Sequence, residues 1–572
     1  MGQSTRDSNQ SDSKRRKGPE TVAGSTEADW VARFADDVIA EAERRAPGEK
    51  IICASGISPS GPIHLGNLRE IMVPHLVADE IKRRGVPCEH ILSWDDFDRY
   101  RKVPAGYDPA YCEHIGKPLT SVPAPAGSEY DSWSEHFKAP FRAALATLGV
   151  EVTEISQTHE YTSGTYRDSI LHAMRERRHI DSVLGRYRTK KKTTEVQDDE
   201  ETGVAADYYP YKPYCSVCDR DLTTVTSYDE ETTELTYTCV CGHCETVRLS
   251  EFNRGKLVWK VDWPMRWAYK GVMFEPSGVD HQSPGSSFMV GQQLVREIFG
   301  AEPPIGPMYA FVGISGMAKM SSSKGGVPTA EDALRIMEPQ LLRWLYARRR
   351  PNQAFNISFD QEISRTYDEW DALERKIEAG TAAPVDVAIH SRAARTASGE
   401  LPTTPRKLPF RTLASVVDIT TGHEEQTLRI LRDFTIDDPI DSLDELQPRL
   451  GKAEAWVTTH VEPEQRTQVR TEPDRETLAT LGDADREALK LLVDGLEEHW
   501  SLDGLTTLVY AVPKLQAGMA ADAKPTPELK VAQRSFFALL YKLLVGRDTG
   551  PRLPTLLLAV GADKVRELLG AS

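Results

Sequence analysis

The stretch from Lys50 to Asp98 constrains the fold more than any other part of the chain. Lys50-Ile51-Ile52-Cys53-Ala54 is a short apolar run that reads as a buried strand. A turn rich in Gly, Ser and Pro follows, from Ser55 to Gly66. Residues 67–84 then carry helical periodicity and stop at Gly85. A second strand falls around His90–Trp94 and runs into the acidic loop Asp95-Asp96-Phe97-Asp98. Strand, glycine-rich turn, helix, strand is the opening of a parallel nucleotide-binding sheet. Ahead of it, Trp30, Phe34, Val38 and Ile39 predict a short amphipathic helix over residues 29–46.

The rest of the 572-residue chain is long enough for several domains. Residues 134–149 and 163–184 read as helices, and a basic stretch follows: Arg175, Arg177, Arg178, Arg186, Arg188, Lys190, Lys191 and Lys192. The polar segment 193–206 marks a boundary before a Cys-rich module. Val258–Val261 reads as a strand, residues 329–350 as a helix, and the Ala/Thr/Pro-rich stretch 380–406 as a linker. Residues 410–571 are helical in period almost throughout.

Asp and Glu number 86 against 70 Lys and Arg, a formal net charge of −16. A polyanionic partner would therefore have to meet a locally basic face. The acid excess fits a protein kept soluble in a saline cytoplasm. No apolar run is long enough to cross a membrane. Residues 1–28 are polar, lack a signal peptide's apolar core and read as a disordered tail.

Five of the eight cysteines crowd into residues 215–244, which points to metal binding in a reducing cytoplasm. Cys215-Ser216-Val217-Cys218 and Cys241-Gly242-His243-Cys244 are two C-x-x-C knuckles, so Cys215, Cys218, Cys241 and Cys244 are the expected zinc ligands. Cys239 is a fifth thiol that competes with Cys241; the two-residue spacing favours Cys241. Four protein ligands leave no open position, so the ion would be structural.

Two segments carry the chemistry. In Pro59-Ser60-Gly61-Pro62-Ile63-His64-Leu65-Gly66-Asn67, glycine backbone can approach a nucleotide and His64 can donate to a phosphate oxygen. The helix that begins there aims its N-terminal dipole at the same charge. Lys319-Met320-Ser321-Ser322-Ser323-Lys324 puts two lysines on a small-residue loop suited to the β- and γ-phosphates of a nucleotide. Together these segments resemble the paired HIGH and KMSKS signatures of class I aminoacyl-tRNA synthetases. His64 to Asn67 match the first, with Asn67 at its last position. Lys319 to Ser323 match the second, but Ser322 stands where many members carry the second lysine, which Lys324 would replace.

Between the signatures, Trp259-Lys260-Val261-Asp262-Trp263-Pro264-Met265-Arg266-Trp267 precedes Glu275-Pro276-Ser277-Gly278-Val279-Asp280-His281. This pattern is similar to the amino-acid pocket of lysyl- and glutamyl-type enzymes. A lysine pocket needs acid for the ε-ammonium and aromatic walls for the methylenes. Asp262, Asp280, Trp263, Trp267 and His281 are the candidates; Arg266 leaves a glutamate pocket open. The C-terminal run Phe536-Phe537 to Tyr541-Lys542, with Gly550-Pro551-Arg552-Leu553, resembles the class I lysyl-tRNA synthetases, archaeal type.

That resemblance implies an α/β fold: a Rossmann-type parallel-sheet catalytic domain with a zinc-ribbon insertion, followed by an all-α C-terminal anticodon-binding domain. The expected divisions are a tail at 1–28, catalytic halves at 29–192 and 257–328, the zinc-binding insertion at 193–256, a helical connector at 329–406 and the anticodon-binding domain at 407–572. The resemblance also implies a cytoplasmic lysine–tRNA ligase using ATP with Mg2+, structural Zn2+, lysine and tRNA(Lys). A class I enzyme for glutamate or another amino acid, or a catalytically silent zinc-containing RNA-binding relative, are the alternatives.

Overall fold

The computed structural model describes residues 29–187, 207–315, 326–435, 438–524 and 526–570. The tail 1–28, Arg188 and Lys190 to Lys192 of the basic stretch, and the whole second signature from Lys319 to Lys324 lie outside the described residues.

Apolar runs that alternate with amphipathic helices bury themselves as a parallel sheet covered on its faces. Here β1 (Ile51–Ile57) pairs in parallel with β2 (Cys88–Trp94), from Ile51 opposite Cys88 to Ile57 opposite Trp94. β3 (Thr153–Ser156) extends the sheet beyond β2, and the strand Val272–Phe274 extends it beyond β1. The order is therefore β3, β2, β1 and then Val272–Phe274. The winding reverses beside β1, and a doubly wound sheet opens a crevice beyond its carboxyl ends at such a point.

α1 (Trp30–Arg45) and α2 (Leu65–Arg83) flank β1 in sequence and pack on each other. His64 is the N-cap of α2: its Nδ1 accepts from the Gly66 N–H at 3.1 Å, while the Asn67 side chain accepts from the His64 N–H at 3.3 Å. This reciprocal cap satisfies two of the orphan amides at a helix start. Gly85, at φ 77°, carries the chain out of the helix in a conformation only glycine adopts cheaply. Arg69, 2% exposed, crosses from α2 to the carbonyls of Ala310, Arg350 and Gln353, each at 2.9 Å. The first signature is thereby tied to the far end of the catalytic region.

Four local expectations change. Val258 caps a helix, Trp259–Lys270, in place of a strand; the short strand is Gly255–Leu257 just before it. The span 163–184 contains two helices, Arg167–Arg175 and Arg177–Gly185, and 329–350 likewise contains Ala330–Ile336 and Pro339–Ala347, where Pro339 opens the second helix. The stretch 380–406 contains the helix Pro384–Ala394 and a small hairpin at 395–400.

The C-terminal helices divide between two apolar cores. Phe410, Leu413, Val417, Ile430 and Trp456 share one continuous core with Leu68 of α2 and Leu341. Leu492, Leu505, Phe536, Leu540 and Leu557 form a separate one. Fully buried Arg449 binds the first group in place, with Glu338 and Asp371 both at 2.8 Å. No helix among the described residues is long and apolar enough to cross a membrane.

Candidate active site and metal centre

A cavity of about 270 Å³ opens at the carboxyl end of β1, at the reversal of the sheet. Ser60, Pro62, Ile63 and Asn67 of the first signature line it. Pro59, Gly61, His64, Leu65 and Gly66 belong to the same turn without lining the cavity itself. Burial holds His64 down to about 4, so the ring is neutral near pH 7. Since its Nδ1 accepts from Gly66, the remaining proton sits on Nε2, which is a donor. The described flank of the second signature ends beside this histidine. The Leu65 N–H donates to the Pro328 carbonyl at 3.1 Å, and Thr329 bridges His64.

The helix Trp259–Lys270 supplies an aromatic wall. Trp259, Trp263 and Trp267 recur every fourth residue and so share one helical face. Trp259 stacks on Trp263 at 5.0 Å, Trp267 lies 5.1 Å further along, and His281 meets Trp263 edge-on at 5.5 Å. Trp263, Trp267 and His281, three of the candidates from the sequence, all line the cavity.

The two expected aspartates do not. Asp280 is exposed and outside the lining. Asp262 is fully buried behind the wall, held by Arg266, by the Tyr161 hydroxyl at 2.5 Å and by Lys256 at 3.5 Å. Asp262 sits one position before Trp263, so the helix turns it about 100° away from the tryptophan face. Arg266 lines the cavity but is neutralised by Asp262 and by Asp95 at 2.6 Å.

The acids that do line the cavity are Glu70, Asp95 and Glu275. Glu70 lies one turn after Asn67 on α2, a spacing that was readable in the sequence as a shared face. It accepts from the Tyr309 hydroxyl at 2.8 Å and the Gly56 N–H at 3.3 Å, and burial pushes it up to about 8. Glu275 accepts from the indole N–H groups of Trp263 at 3.0 Å and Trp267 at 2.6 Å, and burial pushes it up to about 7. Sequence reasoning missed Glu70, named Asp95 only as part of an acidic loop, and passed over Glu275 and Trp259 within the pattern it singled out.

The cysteine module is a three-stranded antiparallel sheet, Thr223–Tyr228, Glu234–Cys239 and Cys244–Arg248. Four thiols converge, with all Sγ atoms within 4.8 Å of one another: Cys215, Cys218, Cys239 and Cys241. Cys239 thus takes the place expected for Cys244. The reason is strand parity. Cys244 pairs with Thr238, so both point to one face, while Cys239 and Tyr237 point to the other. Cys244 is exposed and Cys239 is buried. Gly242, at φ 90°, allows the tight reversal between them. Cys215 to Cys241 is 3.8 Å and Cys218 to Cys239 is 3.6 Å. Four sulfurs around a tetrahedral ion with bonds of about 2.3 Å would lie roughly 3.8 Å apart, so the set fits such an ion. The His243 N–H, donating to Cys241, holds that thiol down to about 7.

Of the basic stretch, Arg177 is buried and binds the Met174 carbonyl and Glu230, and Arg186 pairs with Glu297 at 3.1 Å. Arg175 and Arg178 are exposed.

Comparison with known proteins bears on this site. The family model described as tRNA synthetases class I (K) matches residues 28–397. A lysine–tRNA ligase of Streptomyces coelicolor is 66% identical, over 96% of this chain and 99% of its own. Lysine–tRNA ligases of Pyrococcus horikoshii and Treponema pallidum are each 32% identical, covering 92% and 94% of this chain and 96% and 98% of their own. The Streptomyces relative is about twice as similar as the Pyrococcus one, so neither the archaeal type drawn from the resemblance nor the saline cytoplasm read from the acid excess has support. Matched by that family model over well over half its length, and by these relatives over nearly all of it, the chain belongs to the class I (K) tRNA synthetases.

Proposed function

We propose that the chain is a cytoplasmic lysine–tRNA ligase that joins lysine to ATP as lysyl-adenylate and passes it to the 3′ end of tRNA(Lys). The observation that carries the choice of lysine is the charge state of the cavity. Its arginine, Arg266, is already paired with two carboxylates, so it is not available to a glutamate side chain. Glu70 and Glu275 are buried among neutral donors and gain from a cation. Each oxygen of Glu70 and of Glu275 accepts one neutral donor and keeps a lone pair; we assign the ε-ammonium to Glu70, beside the Tyr309 hydroxyl, with Glu275 adding negative charge nearby. Trp259, Trp263 and His281 then flank the methylenes.

Adenylate formation needs the lysine carboxylate in line with the α-phosphate, and charge neutralised as that phosphate becomes crowded. Residues Pro59 to Gly66 bring backbone close to ATP, which enters as its Mg2+ complex. His64 donates from Nε2 to a phosphate oxygen, Asn67 holds the cap, and the amides at the start of α2 face the same charge. Lys319 and Lys324, with Met320, Ser321, Ser322 and Ser323, act on the leaving pyrophosphate, as the resemblance of the second signature implies. Zinc at Cys215, Cys218, Cys239 and Cys241 would hold the insertion in shape.

ATP–pyrophosphate exchange with a panel of amino acids tests this. Lysine alone should support exchange, and His64→Ala should lower it by about 100-fold or more. A response to glutamate alone overturns the reading. For the metal, Cys239→Ser should lose bound zinc and Cys244→Ser should keep it; the reverse result restores the C-x-x-C pairing.

A further inference from the structure

Tyr166 and Gln157 have no part in the scheme above, yet both are buried next to the cavity. Tyr166 is 1% exposed, stands at the start of the helix Arg167–Arg175 and lines the cavity. Its ring is fixed edge-on between Tyr161 at 5.2 Å and Tyr269 at 5.1 Å. Its hydroxyl has no hydrogen-bond partner among the described residues. Gln157 is 0% exposed, and neither its amide nitrogen nor its amide oxygen has a partner there. It lies beside the Tyr166 hydroxyl without a bond of good geometry between them. Buried polar groups are nearly always satisfied, so orphans clustered at a cavity point to a ligand that satisfies them.

The surrounding charge says which kind of ligand. In the cavity lining itself, Arg266 is shared between two carboxylates, Asp95 and Asp262. Lys270, also in the lining, is paired with Glu160 at 3.1 Å. A cationic group is favoured at this end, and Asp95 is the acid there that lines the cavity.

We infer that Tyr166, backed by Gln157, binds the α-ammonium group of the amino acid substrate beside Asp95. This rests on the lysine reading. With the ε-ammonium at Glu70 and the carboxylate turned toward Asn67 and the α-phosphate, the α-ammonium is the one polar group of lysine left without a receptor. The phenol can serve two neighbours at once. Its O–H donates to the Gln157 amide oxygen and its lone pair accepts from the ammonium. Tyr166 is a binding residue in this scheme and Gln157 a positioning residue.

The test is calorimetric binding of lysine and of ε-aminocaproate, which is lysine without its α-amino group, to the full chain and to Tyr166→Phe. The variant should bind lysine about 10- to 100-fold more weakly, the loss of a hydrogen bond to a charged group, and ε-aminocaproate within about twofold of the parent. Gln157→Leu should reproduce part of the loss for lysine alone. Equal weakening of both ligands, or unchanged lysine binding in Tyr166→Phe, overturns the inference and leaves the lysine reading standing. A parent chain that binds no lysine overturns the lysine reading and the inference with it. The melting midpoint of each variant, matched to the parent, shows that folding is intact; should Tyr166→Phe melt early, the ligand comparison in Gln157→Leu decides.

Discussion

Carboxylates are buried both behind the tryptophan helix and in the lining of the cavity, and their partners differ in kind. Behind the tryptophan helix, Asp262 has every strong partner it can use: Arg266, Lys256 and the Tyr161 hydroxyl. Burial opposes its charge, but Arg266 and Lys256 outweigh burial and keep its pKa below the ordinary carboxylate value. In the cavity lining, Glu70 and Glu275 hydrogen-bond only to neutral donors, and burial lifts them to about 8 and about 7. The first arrangement is complete without ligand and serves as scaffold. The second has no ion-pair partner and is the proposed receptor. A buried acid is thus informative about binding only once its partners are counted.

The largest test of that contrast is Asp262→Asn. It takes one of two carboxylates from each of Arg266 and Lys256, which keep Asp95 and Asp98, and unfolding in denaturant should show a loss of about 3 kcal/mol. A loss under about 1 kcal/mol would remove Asp262 from the scaffold. Next comes Glu70→Gln. Lysine affinity should fall by about 30- to 150-fold, or roughly 2–3 kcal/mol, the range for a hydrogen bond to a charged group. Stability without lysine should hold or rise, because a buried carboxylate no longer has to be accommodated. A stability loss like that of Asp262→Asn would place Glu70 on the scaffold side too.

The pH dependence is a smaller effect with a definite sign. A bound ammonium draws Glu70 and Glu275 into their charged forms, so lysine binding releases protons where the free groups still hold them. Lysine affinity should therefore rise with pH up to the free values of about 7 and about 8, by at most about tenfold per unit for each group. For folding the sign is reversed. Both groups have folded values above their unfolded ones, so their contribution to stability is fully present below about 4.5 and is lost progressively as pH rises from there to about 7 for Glu275 and about 8 for Glu70. The melting midpoint of the lysine-free chain should drop across that window, and lysine should flatten the drop. Affinity independent of pH would break the receptor wall. The smallest effect is Asp280→Asn: this side chain is exposed, and lysine affinity should stay within about twofold.

Features encoded within a few neighbouring residues were legible in the chain. The run Lys50–Ala54, the turn to Gly66 and the helix after it announced β1, the signature loop and α2. The tryptophan pattern identified a cavity wall, although its every-fourth-residue spacing also signalled a helix where a strand had been expected at Val258–Val261. The first cysteine pair was evident from Cys215 and Cys218 alone.

What the sequence by itself determined is the kind of chemistry: an α/β sheet whose first crossover presents His64 and Asn67, and a thiol-rich insertion. These follow from short-range spacing, which sets local backbone geometry directly. Only the tertiary structure decided which polar groups are spent and which are open. Cys239 replaces Cys244 because strand pairing gives them opposite faces. Asp262 is withdrawn and Arg266 neutralised because Asp95, Tyr161 and Lys256 reach them from distant parts of the chain. Glu70 is left without an ion-pair partner because β1 and Tyr309 enclose it with neutral donors. Burial and charge compensation depend on neighbours in space, and no local pattern carries them.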